Sequence, residues 1–103
     1  MKKALRGQVA LVTGGSKGIG FAIAHALVAQ GVDVLITGRS ESSLADATGR
    51  LAGAGTGRVE ALSVDVRDYA AVGRAVAKAI SSFGGLDIVV NNAGAGTDRK
   101  SVV

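Results

Sequence analysis

The order of the apolar segments is the feature that most constrains the fold of this chain. Four short apolar runs are separated by three stretches in which apolar residues recur at helical spacing. The predicted strands are 8–12, 33–37, 59–64 and 87–90, and the predicted helices are 17–30, 40–52 and 68–83. Strands that alternate with helices, each strand a continuous apolar run, predict an α/β fold with a parallel sheet covered on both faces. Right-handed crossovers then make it a doubly wound sheet.

The helical stretches carry start and stop signals of their own. Ser40 and Asp68 are predicted N-caps of the second and third helices. Gly31 and the pair Gly84-Gly85 are expected to end the first and third helices. The residues expected on the apolar faces are Ile19, Ile23, Leu27 and Val28 in the first helix, Leu44, Ala47 and Leu51 in the second, and Val72, Val76, Ala79 and Ile80 in the third.

The composition excludes several classes of function. The 103 residues contain no cysteine, which excludes disulfides, thiol nucleophiles and zinc ribbons. The net charge is +4, but the basic residues are scattered and the aromatics are one Tyr and two Phe, so no nucleic-acid surface is expected. The N-terminal apolar stretch is too short for a signal peptide, and no stretch is long enough to span a membrane. We therefore expect a cytoplasmic, soluble single domain or part of a larger one.

A glycine-rich loop joins the first predicted strand to the first predicted helix. Its spacing is Thr13-Gly14-x-x-x-Gly18-x-Gly20, which is neither a plain G-x-G-x-x-G nor a P-loop. In this architecture a pyrophosphate binds there, against backbone N–H groups at a helix N-terminus. A side chain is expected to crowd the turn at Gly14, to hold phosphates away at Gly18, and to push the helix off the sheet at Gly20. A purely structural turn is the alternative.

Three motifs in register resemble the classical short-chain dehydrogenase/reductase family: TGGSKGIG at 13–20, DV at 65–66 and NNAG at 91–94. The resemblance covers about residues 7 to 97 and implies a Rossmann-like sheet of order 3-2-1-4. Residues 1–97 are therefore expected to form the N-terminal half of a Rossmann dinucleotide-binding domain. The resemblance also implies an NAD(P)(H)-dependent oxidoreductase.

The resemblance also assigns residues to parts of the cofactor. Asp65 and Val66 would flank the adenine, with the Asp65 carboxylate accepting from its amine. Capping of the next helix is the alternative for Asp65, and a simple turn is the alternative for the Asn91-Asn92 pair. The residues implied for the pyrophosphate and adenosine ribose are Gly14, Ser16, Lys17, Gly18, Ile19 and Gly20, and those implied near the ribose and nicotinamide are Asn92, Ala93 and Gly94.

The end of the second predicted strand bears on the choice of cofactor. An acidic residue there would bind both ribose hydroxyls and repel a 2′-phosphate. This chain has Gly38 at that position, followed by Arg39 and Ser40. The guanidinium of Arg39 suits a phosphate dianion, and Lys17 adds a second cation on the same side. The sequence therefore predicts NADP(H) rather than NAD(H); a solvated surface arginine is the alternative.

No catalytic residue and no metal ligand is predicted in this chain. The family's Tyr-x-x-x-Lys pair, its Ser and its Asn all follow the NNAG motif. Tyr69 is followed four positions later by Gly73 instead of Lys, and His25 lies among apolar helix residues. The expected function is the cofactor-binding part of a parent that acts on a small carbonyl or alcohol and forms homo-oligomers. A non-catalytic nucleotide-binding module and a non-functional fragment are the alternatives.

The end of the chain gives two further expectations. The fourth predicted strand is apolar, and its outer edge is expected to pair with other chains. Residues Asp98 to Val103 do not resemble the family's usual continuation. One back-translation of them, with a stop codon, matches a common sequencing-library adapter. The hypothesis is adapter read-through, with chance as the alternative, and a genuine stop codon after Val103 in genomic DNA would contradict it.

Overall fold

A computed structural model describes residues 5–65 and 67–92. Strands and helices alternate in the order β1 (Val9–Thr13), α1 (Gly18–Ala29), β2 (Asp33–Gly38), α2 (Glu41–Ala52), β3 (Val59–Ser63), α3 (Tyr69–Phe83) and β4 (Ile88–Asn91). The strands form one parallel sheet of order β3-β2-β1-β4, which confirms the predicted fold class and topology. Val66, Ala93, Gly94 and the tail 98–103, singled out in the sequence, lie outside the described residues.

The sheet is covered on both faces, which explains why its strands are continuous apolar runs. On one face, α1 and α2 pack around Val12, Val34 and Ile36. On the other face, α3 packs against Leu11 and Leu35. All five side chains are fully buried. The outer edge of β4 has no paired strand in the described part of the chain.

The face that α3 buries agrees with the predicted one only in part: Ala79 is fully buried as expected, and Val76 packs against the core. The buried residues of α3 are Ala71, Ala75 and Ala79. The expectation that Ile80 points inward is wrong, because its side chain is 50% exposed, and Val72 and Val76 are only half-buried. A stripe of methyl groups lets the helix approach the sheet closely, so the bulkier valines lie on the flanks of the contact.

The first helix shows the same preference for small contact residues. Its buried residues are Gly20, Ala24 and Val28. Ile19, expected on the apolar face, is 72% exposed in the first turn, and Ile23 and Leu27 are half-buried. The apolar face predicted for α2 is confirmed, since its buried residues are Leu44, Ala47 and Leu51.

The predicted helix ends are confirmed by their hydrogen bonds. The Ser40 hydroxyl accepts from the Ser43 N–H at 3.2 Å, and the Asp68 carboxylate accepts from the Ala70 N–H at 3.0 Å. Gly84, in the left-handed conformation, ends α3 by donating its N–H to the carbonyl of Ile80. No helix in the ranges 5–65 and 67–92 is both long and apolar enough to cross a membrane.

Thr37, near the end of β2, provides a test of the interior packing. Its hydroxyl is fully buried and has no hydrogen-bond partner among the described residues. An unpaired buried hydroxyl costs about 1–3 kcal/mol, so Thr37→Val, which keeps the branched shape, should raise the free energy of unfolding by about 1 kcal/mol. Urea denaturation, monitored by circular dichroism, measures this change in the free energy of unfolding. The matched change Thr13→Val, which removes a hydrogen-bonded hydroxyl, should lower the stability; a less stable Thr37→Val protein would contradict the prediction.

Candidate nucleotide-binding site

The carboxyl ends of the four strands meet at one edge of the sheet. Thr13 at the end of β1 is in register with Thr37 of β2 and with Asn91 of β4. Gly38 at the end of β2 pairs with Ser63 at the end of β3. The chain proceeds from β1 to β2 and β3 on one side, whereas β4 lies on the other, so β1 and β4 flank the switch point where ligands bind in such sheets.

The glycine loop is held to both neighbouring strands by hydrogen bonds. The N–H of Gly15 donates to the carbonyl of Thr37 at 3.1 Å. On the other side, the side-chain amide of Asn92 donates to the carbonyl of Gly14 at 3.4 Å. Gly14 and Gly18 have positive φ angles of 68° and 61°, which other residues rarely adopt. The loop therefore has a fixed path from β1 to α1.

The contacts that an added Cβ would make bear on two of the three predicted glycine roles, those of Gly18 and Gly20. A Cβ on Gly18 would meet nothing within 4 Å, so that side of the loop is open. A Cβ on Gly20 would overlap the carbonyl oxygen of Gly14 and lie 2.7 Å from the amide nitrogen of Asn92. The contact that constrains Gly20 is thus with the loop, and the displacement of the helix from the sheet stays a prediction. Gly15, which the sequence analysis missed, is also constrained, since its Cβ would lie 2.8 Å from the Cβ of Ile36.

The N-terminus of α1 is uncapped, in contrast to those of α2 and α3. The N-cap residue Lys17 makes no side-chain capping hydrogen bond, and the first turn contains no acidic residue. The first N–H groups of a helix carry a partial positive charge when they lack such partners. Lys17 is exposed and adds a full charge, and Ser16 lies close to the end of β2, since a Cβ on Gly38 would be 3.4 Å from its hydroxyl. This arrangement can bind an anion.

A cluster of one carboxylate and two guanidinium groups lies beyond β2 and β3. Asp65 Oδ1 accepts from the backbone N–H and Nε of Arg67 at 3.0 and 3.1 Å, and Oδ2 accepts from Arg67 Nη2 at 2.9 Å. Arg39 Nη1 lies 3.9 Å from the same Oδ2. The hydrogen bonds from Arg67, with smaller contributions from the charges of Arg67 and Arg39, lower the pKa of Asp65 to about 2.

The predicted site residues that the structure describes are brought to this one edge. Gly14, Ser16 and Asn92 are half-buried, Gly20 is buried, and Lys17, Gly18 and Ile19 are exposed. Arg39 and Ser40 are exposed after β2, and Ser40 caps α2 as well. Outside this set, Tyr69 is 92% exposed and His25 is an exposed residue of α1.

The roles of two further residues were missed by sequence reasoning. Thr13 joins β1 to β4, because its hydroxyl donates to the Val90 carbonyl or Asn91 Oδ1, both at 3.3 Å, and accepts from the Asn92 N–H at 2.9 Å. The sequence feature that could have indicated this role is a hydroxyl-bearing residue directly between an apolar run and a glycine. Arg67, two residues after Asp65, could have been noticed as a charge partner. In the described ranges, no group of three or more His, Cys, Asp or Glu side chains is arranged to hold a metal ion.

The chain resembles oxidoreductases in sequence and in structure. It is 46% identical over 90 residues to an uncharacterized oxidoreductase of Staphylococcus saprophyticus, covering 87% of this chain and 38% of the relative. L-sorbose reductase of Gluconobacter frateurii, solved with NADPH and L-sorbose, superposes with a TM-score of 0.87 at 38% identity over 97% of this chain and 38% of that one.

A second solved structure, an actinorhodin polyketide ketoreductase with NADPH, gives a TM-score of 0.80 at 35% identity. The match covers 85% of this chain and 33% of the ketoreductase. In all three comparisons the chain therefore spans only about a third of the length of the protein that it matches. The sequence profile of the family described as short chain dehydrogenase matches residues 8–102. Because this match covers nearly the whole chain, the protein belongs to the short-chain dehydrogenase family.

Proposed function

We propose that this chain is the NADP(H)-binding part of an oxidoreductase. In the whole protein, hydride transfer would reduce a small carbonyl compound or oxidise an alcohol, within a homo-oligomer. The observation that carries the proposal is the uncapped N-terminus of α1 beneath an open glycine loop, at the edge where Arg39 also lies. Membership of the short-chain dehydrogenase family supports the same assignment.

The residues present fit a dinucleotide. The open side of the loop at Gly18 and the N–H groups that begin α1 form a cradle for the pyrophosphate, and the Ser16 hydroxyl lies beside it. Asp65 lies two residues beyond the end of β3, where we propose that the adenine binds. When bound, the cofactor supplies a hydride to a carbonyl carbon or accepts one from an alcohol. The resemblance adds these residues to the proposed cofactor-binding set: Ile19, Ser40, Val66, Asn92, Ala93 and Gly94.

Arg39 and Lys17 support the choice of NADP(H). The side chain of Arg39 makes no hydrogen bond within the described residues, so its donors are free for a phosphate. Lys17 is exposed at the N-terminus of α1. Gly38 leaves no carboxylate at the end of β2 to repel a 2′-phosphate. The two similar structures solved with NADPH are consistent with this choice.

Removal of both cations tests the proposal. The double substitution Lys17→Ala/Arg39→Ala should weaken NADPH binding by about 100-fold and NADH binding much less, because only NADPH offers the 2′-phosphate to these cations. Fluorescence titration of the purified chain with each cofactor measures both affinities, and circular dichroism confirms folding.

The control variant also removes two positive charges, but from later turns of two helices. Arg50 and Lys78 belong to the second halves of α2 and α3, away from the carboxyl edge. Arg50→Ala/Lys78→Ala should leave the ratio of the two affinities unchanged. An undiminished preference for NADPH after loss of Lys17 and Arg39 would show that the cofactor assignment is wrong.

A further inference from the structure

Asp65 holds its two arginines in different ways. Arg67 is bound by three hydrogen bonds, one from its backbone N–H and two from its guanidinium group. Arg39 approaches the same carboxylate only to 3.9 Å and makes no hydrogen bond to it. Since a carboxylate has about four acceptor sites, Arg67 occupies most of the capacity of Asp65. Arg39 therefore remains available to another anion.

The charge of Asp65 would have two effects without Arg67. The unpaired carboxylate would draw Arg39 into a closer ion pair and would repel a phosphate dianion bound beside Arg39. With Arg67 present, the three side chains sum to one positive charge; without it they would sum to zero. Asp65 would then act much like the acidic residue that disfavours a 2′-phosphate at the end of the second strand.

From this arrangement we infer that Arg67 determines cofactor choice by neutralising Asp65, which leaves Arg39 free to bind the 2′-phosphate of NADP(H). The inference rests on the proposed function. Arg67 acts here as a positioning residue, because its effect on the 2′-phosphate is exerted through Asp65 and Arg39.

The chain contains a matched pair at the opposite edge of the sheet. Arg58 donates its backbone N–H and its Nη2 to the two carboxylate oxygens of Asp33, each at 2.8 Å. Asp33 begins β2, whereas Arg39 follows its end, so a strand of six residues separates the two clusters. Arg58→Ala therefore frees a similar carboxylate at a place remote from the proposed cofactor site.

The experiment compares NADPH and NADH affinities in a set of variants of the purified chain. Arg67→Ala should weaken NADPH binding by about fivefold to tenfold relative to NADH, the size expected for one screened charge acting on a nearby dianion. Arg67→Lys should keep a ratio close to that of the parent, because it retains the neutralising charge. Asp65→Asn/Arg67→Ala should restore the ratio to within about twofold.

Because both cofactors contain the adenine, any effect of Asp65 on adenine binding cancels in the ratio of the NADPH and NADH affinities. Arg67 is exposed, so we expect its variants to remain folded, and circular dichroism checks this. Adenosine 2′,5′-bisphosphate and 5′-AMP serve as smaller probes of the same difference. Arg58→Ala should leave all ratios unchanged.

The possible failures are distinguishable. An unchanged affinity ratio in Arg67→Ala, together with a changed ratio in Lys17→Ala/Arg39→Ala, would overturn the inference and leave the proposed function standing. A loss that Asp65→Asn does not reverse would also overturn it, because Arg67 would then act by a route other than neutralising Asp65. A folded parent chain that binds neither cofactor, or binds both equally, would overturn the proposed NADP(H) site and the inference with it.

Discussion

Gly57→Ala is expected to destabilise the fold strongly. Gly57 lies in the turn between α2 and β3, where its backbone passes directly over that of Val32. A Cβ on Gly57 would overlap the carbonyl oxygen of Val32 and lie 2.8 Å from its carbonyl carbon. These are backbone atoms next to a fully buried side chain, so no rotamer change relieves the contact. Overpacking costs about 1–3 kcal/mol and more where the backbone must move, and we expect a loss of about 3 kcal/mol or more.

Urea denaturation of the Gly57→Ala protein and of the parent chain measures this loss of stability. Gly53→Ala is the matched control, because Gly53 ends α2 a few residues before Gly57 and its Cβ would come no closer than 3.9 Å to the carbonyl oxygen of Arg50. Gly53→Ala should change the free energy of unfolding by less than about 0.5 kcal/mol. A Gly57→Ala protein with the parent's denaturation midpoint would show that the turn can move away from Val32 at little cost.

The strands, the helices and their order could be predicted because the signals that specify them are local. Each of these signals specifies the structure of residues close to it in the sequence. They are the apolar runs, the helical spacing and the caps Ser40 and Asp68. The role of Gly57 could not be predicted, since its contact with Val32 joins positions far apart in the sequence. The buried face of α3 was predicted only in part, at Ala79, for a related reason. The distance between helix and sheet decides whether small or large side chains fit, and that distance is a property of the packed structure.

The residues that form the site could be predicted, whereas the hydrogen bonds between them could not. The carboxyl ends of parallel strands must share an edge, which brings the glycine loop, Arg39, Asp65 and Asn92 together. Which polar groups then bind one another depends on side-chain placement that no motif specifies. Asp65, predicted as an acceptor for adenine, is largely occupied by Arg67, and Asn92 donates its amide to Gly14. The role of Asp65 toward adenine stays a prediction.

Gly20→Ala is expected to weaken both the fold and nucleotide binding. Gly20 is buried in the first turn of α1, and its Cβ would lie within overlap of the Gly14 carbonyl. The helix cannot retreat easily, because Ala24 and Val28 of the same face are fully buried in the core. The glycine loop must therefore move, which breaks the hydrogen bond from Asn92 to Gly14 and shifts the N–H groups proposed to bind phosphate. We expect a stability loss of about 1–3 kcal/mol and at least about tenfold weaker NADPH binding.

Gly73→Ala separates this effect from the ordinary consequence of placing alanine in a helix. Gly73 is an exposed residue of α3, and a Cβ there would meet nothing within 4 Å. Alanine should therefore stabilise α3 by about 0.5–1 kcal/mol and leave NADPH affinity unchanged. Because alanine favours helix at both positions, a loss at Gly20 measures the contact with the loop alone. If Gly20→Ala kept the parent's stability and affinity, the close approach of α1 to the loop would not determine the geometry of the phosphate cradle.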